Sequence, residues 1–264
     1  MGVTGRDIIT RSRLVADLKS LGVREGMDLL VHSSLRRIGP VVGGPDTIID
    51  GLREVIGSAA TLLMPTISGS VTPDQPVFHV EHTPSSVGYL TNVFRKRRGA
   101  VRSLHPVHSV AAVGKRAGFY TQEHLAANTP WSPESPYGKL MRTDGWVLLL
   151  GVNLNANTCF HALEIEALIP GIHTEASDTL FVINDDGVVH EKEHHWHAEK
   201  VQYFIDMEHI LIECGAITFG KVGSGISRLV DAAAMREITL PLIRKDPELI
   251  VRCTSEQSDY VWPP

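Results

Sequence analysis

Four short apolar runs, MDLLVHSS, TLLMPT, VHSVAAVG and WVLLLGV, are separated by segments of helical period, and this alternation constrains the fold more than any other feature. A continuous apolar run of that length reads as a strand covered on both faces, because a half-exposed strand would alternate polar and apolar residues. Between the runs, Thr10–Leu21 sets Leu14, Leu18 and Leu21 on one helical stripe and stops at Gly22. Asp46–Val55 has helical period behind Pro45, Ser86–Arg97 reads as helical, and SPYGKLMRTDG as a short helix and turn. The expected fold is α/β: a layered α/β/α sandwich with a mostly parallel central sheet and a smaller α+β C-terminal part. From about Thr174 the character changes. LFVINDDGVVHEKEHHW reads as a hairpin around an Asp-Gly turn, followed by helices near Ala198–Cys214 and Ser227–Asp246. With no internal repeat and no low-complexity linker, one domain is expected over 1–264, an α/β core over 1–173 completed by 174–264.

Several function classes are disfavoured by composition. The chain is 43% hydrophobic and 21% charged with a net charge of −5, an ordinary globular balance. Its only concentrated basic run is RKRR at Arg95–Arg98, which reads as a solvated helix end, so nucleic acid and anionic membranes are not expected partners. Cys159, Cys214 and Cys253 are odd in number and far apart, with neither metal-ligand spacing nor a disulfide framework. The first residues lack the apolar core of a signal peptide, and no run approaches the ~20 apolar residues that span a bilayer. A cytoplasmic location is expected.

Two motifs are decoys. HEKEH at His190–His194 matches a zinc-protease pattern, but that chemistry needs a helix. After the turn signal NDDGVV the segment reads as strand, where His190 and His194 stand about 13 Å apart and cannot share an ion. The adjoining HHWH run, His194–His197, reads as a partly exposed loop that picks up adventitious metal. GKVGSG at Gly220–Gly225 has the spacing of neither a P-loop nor a dinucleotide fingerprint.

The informative stretch is NTCFHALEIEALIPG, Asn157–Gly171. A helix capped by Asn157 or Thr158 brings His161 and Glu164 together at i, i+3, while Glu166 points about 140° away. A carboxylate at one imidazole nitrogen fixes the tautomer and leaves the other nitrogen as a directed base. These residues alone also allow a packed core histidine or a metal ligand. Cys159 and His161, two apart, project about 200° from each other, so no local Cys/His nucleophile pair forms and Cys159 reads as core.

The surrounding segments matter as much. HSSLRRIGPVVGG ends a strand in His32-Ser33-Ser34-Leu35 and places Gly43-Gly44 before a helix, where backbone N–H groups can approach an anionic ligand. RSLHPVHSVAAVG sets Ser103, His105 and Ser109 around another strand start, and TPWSPESPYGKL packs three prolines into a polar turn. Together with LLMPT, TPSSVGYLTNVFR, GWVLLLGV and NTCFHALE, in this order and spacing from Leu14 to about Glu175, the chain resembles the aminoglycoside 3-N-acetyltransferase family. This family is distinct from the GNAT acetyltransferases, whose phosphate loop is not found here.

The resemblance implies a CoA-dependent N-acyltransferase that moves an acetyl group from acetyl-CoA to an amine of an aminoglycoside or similar acceptor, with no metal. It makes His161 the general base, Glu164 its holder and Thr158 a neighbour of the thioester carbonyl. His32, Ser33, Ser34, Leu35, Gly43, Gly44, Arg102, Ser103 and Ser109 then line the CoA side. A homodimer is expected from that likeness alone. Glu123, Glu134, Glu166 and Glu175 are candidate acids for a cationic acceptor's rim, and Ser68–Pro84, with little periodic pattern, is expected to shape the acceptor mouth. The alternatives are a relative acylating a different amine, a CoA-binding homologue without that activity, and, remotely, a metallohydrolase.

Overall fold

The computed structural model describes residues 8–198 and 201–252, apart from the Arg252 side chain. In chain order the elements of its first half are α1 (Arg11–Leu21), β1 (Leu29–Ser33), α2 (Leu35–Ile38), α3 (Gly44–Ile56), β2 (Thr61–Pro65), β3 (Val77–His79), α4 (Tyr89–Phe94), β4 (Val101–Arg102), β5 (Val110–Gly114), α5 (Ala117–Thr121) and α6 (Pro136–Met141). Then follow β6 (Trp146–Leu150), α7 (Cys159–Glu166), β7 (His173–Ile183), β8 (Val189–His197), β9 (Val201–Gln202), α8 (Glu208–Glu213), β10 (Ile217–Val222), β11 (Gly225–Asp231), α9 (Ala232–Lys245) and β12 (Val251–Arg252). No helix among the described residues is long and apolar enough to cross a membrane.

All four apolar runs become strands of one seven-stranded sheet, ordered β10-β11-β6-β1-β2-β5-β4. The sheet is mixed, which corrects the expectation of a mostly parallel one. Only β6, β1 and β2 run parallel; β5 returns antiparallel to β2, and β11 antiparallel to β6. Strand direction depends on the route of each connection, and an apolar run carries no mark of it. The runs do carry their two-sided burial. In β1, Leu29 and Val31 join one hydrophobic cluster with α1 and α3, while Leu30 joins another with Tyr137, Leu140, Phe160 and Leu163. In β6 the same alternation sends Leu148 and Leu150 one way, Val147 and Leu149 the other. Each such leucine contributes about 1.5–3 kcal/mol by leaving water.

The hairpin around Asp185-Asp186-Gly187 forms as expected, β7 against β8, with Asn184 Oδ1 accepting the Val188 N–H at 2.8 Å. It also pairs in parallel with β3 through Val77↔Phe181, so Ser68–Pro84 contains a strand. Three helical readings were too long. α4 covers six residues of Ser86–Arg97, because Gly88 sits at φ 119° and Ser85 forms a turn whose N–H donates to Asn92 Oδ1. Of Ala198–Cys214, Val201–Gln202 is strand and regular helix covers only Glu208–Glu213; residues 199–200 lie outside the described set. In Ser227–Asp246 the residues Ser227–Asp231 belong to β11, and the helix begins at Ala232 where Asp231 caps it by accepting the Ala234 N–H.

Candidate active site

α7 leaves the carboxyl end of β6 by way of a short 3₁₀ turn, Leu154–Ala156. Asn157, fully buried, accepts the Cys159 N–H on Oδ1 at 3.1 Å and starts the helix; Thr158 makes no side-chain cap. Cys159, Phe160, Ala162 and Leu163 anchor the helix in the core, and burial pushes the Cys159 thiol up, away from a nucleophile's range. On the remaining face His161 Nδ1 donates to Glu164 Oε2 at 2.6 Å. The His161 side chain is 21% exposed and that of Glu164 fully buried. Burial alone raises the Glu164 pKa, but the His161 and His197 imidazoles outweigh it and hold the carboxyl below its ordinary value. It is therefore an anion under the imidazole, which fixes the Nδ1–H tautomer and leaves Nε2 to act outward.

Two residues that sequence reasoning did not assign to the site complete it. Trp131, from the proline-rich loop, lies over the His161 ring at 4.7 Å between centroids and an interplanar angle of 31°. His197, the last residue of β8, brings Nε2 within 3.6 Å of Glu164 Oε2, and its ring stands edge-on to His161 at 5.0 Å. Three prolines mark the turn in the sequence, but nothing local marks which of its residues turns inward. His197 is 36 residues beyond His161, and only the β7–β8 pairing carries it there.

A cavity of about 230 Å³ opens beside the start of α7, at the carboxyl ends of the parallel strands, where open α/β sheets hold their ligands. His32, Ser33 and Thr158 line it together with Ile67, Val87 and Val152. His32 Nε2 is buried there without a partner; burial, then the facing His161, lower its pKa to about 3, so it is neutral. The other expected cofactor residues are dispersed. The Ser34 N–H donates to the Leu150 carbonyl at 2.9 Å, and Leu35 borders a separate depression with Arg36, Pro40 and Ser224. Gly43 and Gly44, at φ 78° and 61°, form the left-handed entry to α3.

Arg102, Ser103 and Ser109 do not reach the cavity lining. Arg102 is buried and its guanidinium is saturated: Nε donates to Thr66 Oγ1 and Ser109 Oγ, Nη1 to the Val80 and Thr83 carbonyls, Nη2 to the Thr66 carbonyl and Ser68 Oγ. That makes it a brace tying the 66–83 segment to β4 and β5. Ser103, also buried, bonds His124 Nδ1 at 2.8 Å and accepts the Val110 N–H. Of the four candidate rim acids, Glu123 pairs with Lys139, and Glu166 with Arg142 and Arg236, while Glu134 and Glu175 are exposed. The RKRR run is partly absorbed too, since Arg95 donates to the Glu81 carbonyl and Arg97 pairs with Asp46 and Asp50. HEKEH lies within β8 as a strand, so His190 and His194 form no helical pair.

α7 thus carries an oriented imidazole one turn beyond Thr158, which borders the strand-end cavity. The chain belongs to the aminoglycoside 3-N-acetyltransferase family, whose model matches residues 30–243. It is similar to aminoglycoside N(3)-acetyltransferase IV of Salmonella sp, 32% identical over 240 residues that cover 90% of this chain and 88% of that protein. The likeness to aminoglycoside N(3)-acetyltransferase VII of Streptomyces paromomycinus is 34% over 181 residues, 62% of each chain. Among solved structures, that of AAC-IIIb in a binary complex with CoASH matches with a TM-score of 0.79 and 28% identity, covering 90% of this chain and 97% of that one.

Proposed function

We propose that the chain transfers an acetyl group from acetyl-CoA to an amine of an aminoglycoside or closely similar acceptor, by direct attack with His161 as general base. The observation that carries this reading is the 2.6 Å bond from His161 Nδ1 to the buried Glu164 carboxylate, beside a cavity bordered by Thr158. An alkylamine is protonated at neutral pH and attacks only as the free base, so a base that removes a proton during attack lowers the barrier. His161 Nε2 accepts that proton, and Glu164 steadies the imidazolium that forms. Direct transfer needs no enzyme nucleophile, in keeping with a Cys159 thiol that burial keeps protonated.

The residues present fit a CoA thioester. His32 Nε2 is a buried polar atom with no partner on the cavity wall, available to a ligand, and Ser33 and Thr158 add hydroxyls to an otherwise apolar surface. Bound there, acetyl-CoA would supply the activated acyl group, with CoA leaving as the thiol. His32, Ser33 and Thr158 would hold its acyl end, and Trp131, packed on the imidazole, limits how the base can turn. Arg102, Ser103 and Ser109 act from beneath as supports. The family match and the CoASH complex of a similar protein support this reading. The same reading takes the chain as one domain, a layered α/β/α fold distinct from the GNAT enzymes, and the continuation of the sheet from β6 into β11 and β10 supports the single domain.

The test is release of free CoA thiol from acetyl-CoA on adding a panel of amines. The reading expects turnover with 2-deoxystreptamine aminoglycosides and N-acetylated product by mass. A chain that binds CoA yet acetylates no amine in the panel would overturn it.

A further inference from the structure

His161, Glu164 and His197 each offer one donor atom within 4.8 Å of the other two, and Glu164 Oε2 lies 2.6 Å from His161 Nδ1 and 3.6 Å from His197 Nε2. Two imidazoles and one carboxylate are the donor set that zinc and its first-row neighbours prefer, and tetrahedral bonds of about 2.0–2.1 Å place such donors some 3.3–3.4 Å apart. His197 Nε2 already stands 3.6 Å from the carboxylate oxygen, and the 2.6 Å bond from His161 must lengthen by less than 1 Å.

A second observation points the same way. Glu164 is fully buried, and its other oxygen, Oε1, has no hydrogen-bond partner. A buried anion with spare acceptor capacity, facing two imidazoles, is suited to a cation. The two histidines are 21% exposed, which leaves an entry path and a fourth coordination position open to water.

We propose that His161, Glu164 and His197 form a binding site for a first-row divalent cation, zinc foremost, whose occupancy switches off the His161 base. The reason for exclusion is tautomeric. As base, the neutral His161 ring keeps its one hydrogen on Nδ1, donated to Glu164, and accepts at Nε2. As ligand it coordinates through Nδ1, so that hydrogen moves to Nε2 and the ring no longer accepts there. No net proton is lost from a neutral ring, and no redox step is involved. The cation also takes the carboxylate that steadies the imidazolium. Metal and acyl transfer therefore compete for the same atoms.

The test does not depend on the acceptor's identity. The EDTA-stripped full-length chain is titrated with Co²⁺, whose visible absorption reports a four-coordinate nitrogen and oxygen site, and Zn²⁺ is then used to displace it. One stoichiometric site is expected, with the Co²⁺ bands lost and zinc affinity at least tenfold weaker in His197→Gln, since even an outer partner of a metal ligand costs 10–100-fold. Histidines elsewhere on the surface remain in that variant and serve as its control. The second measurement uses the unaltered chain: ethoxycarbonylation of His161 and His197, mapped by peptide mass, should be blocked by one equivalent of zinc while His190 and His195 still react. Where acyl transfer is measurable, zinc should inhibit it reversibly, and the fractional inhibition by a given zinc concentration should be lost in His197→Gln, whatever that variant's own turnover. Unchanged stoichiometry and affinity in His197→Gln, or modification of His161 and His197 undiminished by zinc, overturns the proposal. Metal binding without amine acetylation would instead count against the acyltransferase reading alone.

Discussion

Lowering the pH from 7 to 5 should destabilise this fold by several kcal/mol, for a reason that lies under the active site. His124 is fully buried between Ser103 and the Pro130 carbonyl, and His194 is 4% exposed against the His105 ring at 5.5 Å. Burial lowers the His124 pKa to about 3, with Lys192 and Lys139 adding to the effect and only the Pro130 bond opposing it. Burial likewise lowers His194 to about 4, reinforced by His173, Lys192 and His195 and opposed by Asp178. In the unfolded chain both titrate near 6.5. Below that value the unfolded state binds protons the folded state refuses, so stability is full above pH 6.5 and falls as the pH drops toward 4 and then 3. Each group costs about 1.4 kcal/mol per pH unit in that window, hence about 2 kcal/mol by pH 5, or about 4 kcal/mol for the pair. Glu164, whose folded pKa is lowered, adds its own loss only further down, as the pH falls through the carboxylate range. Set against a typical stability of about 5–15 kcal/mol, this is large. Urea unfolding at constant ionic strength, at pH 7, 6 and 5, measures it. His124→Gln should reduce the pH slope by one proton. A stability that is flat from pH 7 to 5 would refute the argument that these imidazoles are buried neutral.

Other expectations follow from single contacts. Arg102→Lys cannot replace six donated bonds in a buried fork, so stability should fall by about 3 kcal/mol, read as a shifted denaturant midpoint. Glu166→Gln loosens the bridge to Arg142 and Arg236 and should cost about 1 kcal/mol of stability while leaving acceptor KM within twofold; a severalfold rise in KM would restore Glu166 as a rim acid. Glu164→Gln keeps an oxygen for Nδ1–H but loses the charge beneath the ring, so kcat should fall, and by less than on removing His161.

What the sequence disclosed follows the range of the forces involved. Burial on both sides writes itself into MDLLVHSS, TLLMPT and WVLLLGV, so the sheet's strands were legible; their directions depend on connections and were not. The His161–Glu164 pair was legible because it lies within one turn of helix. Trp131 and His197 were not, because a 30- or 36-residue span is closed only by the proline-rich loop and by the β7–β8 hairpin. Arg102 is a different case. The family resemblance sets it on the CoA side, while its donors all meet protein acceptors in the folded chain, which no neighbouring residue in the sequence foretells.

The central claim, that His161 removes the acceptor's proton, is tested most directly by single-turnover acetylation with His161→Ala and acetyl-CoA binding measured on the same sample. The account expects turnover to drop by about 10²–10⁴ with CoA affinity nearly unchanged. Turnover within a few-fold of the original would contradict it.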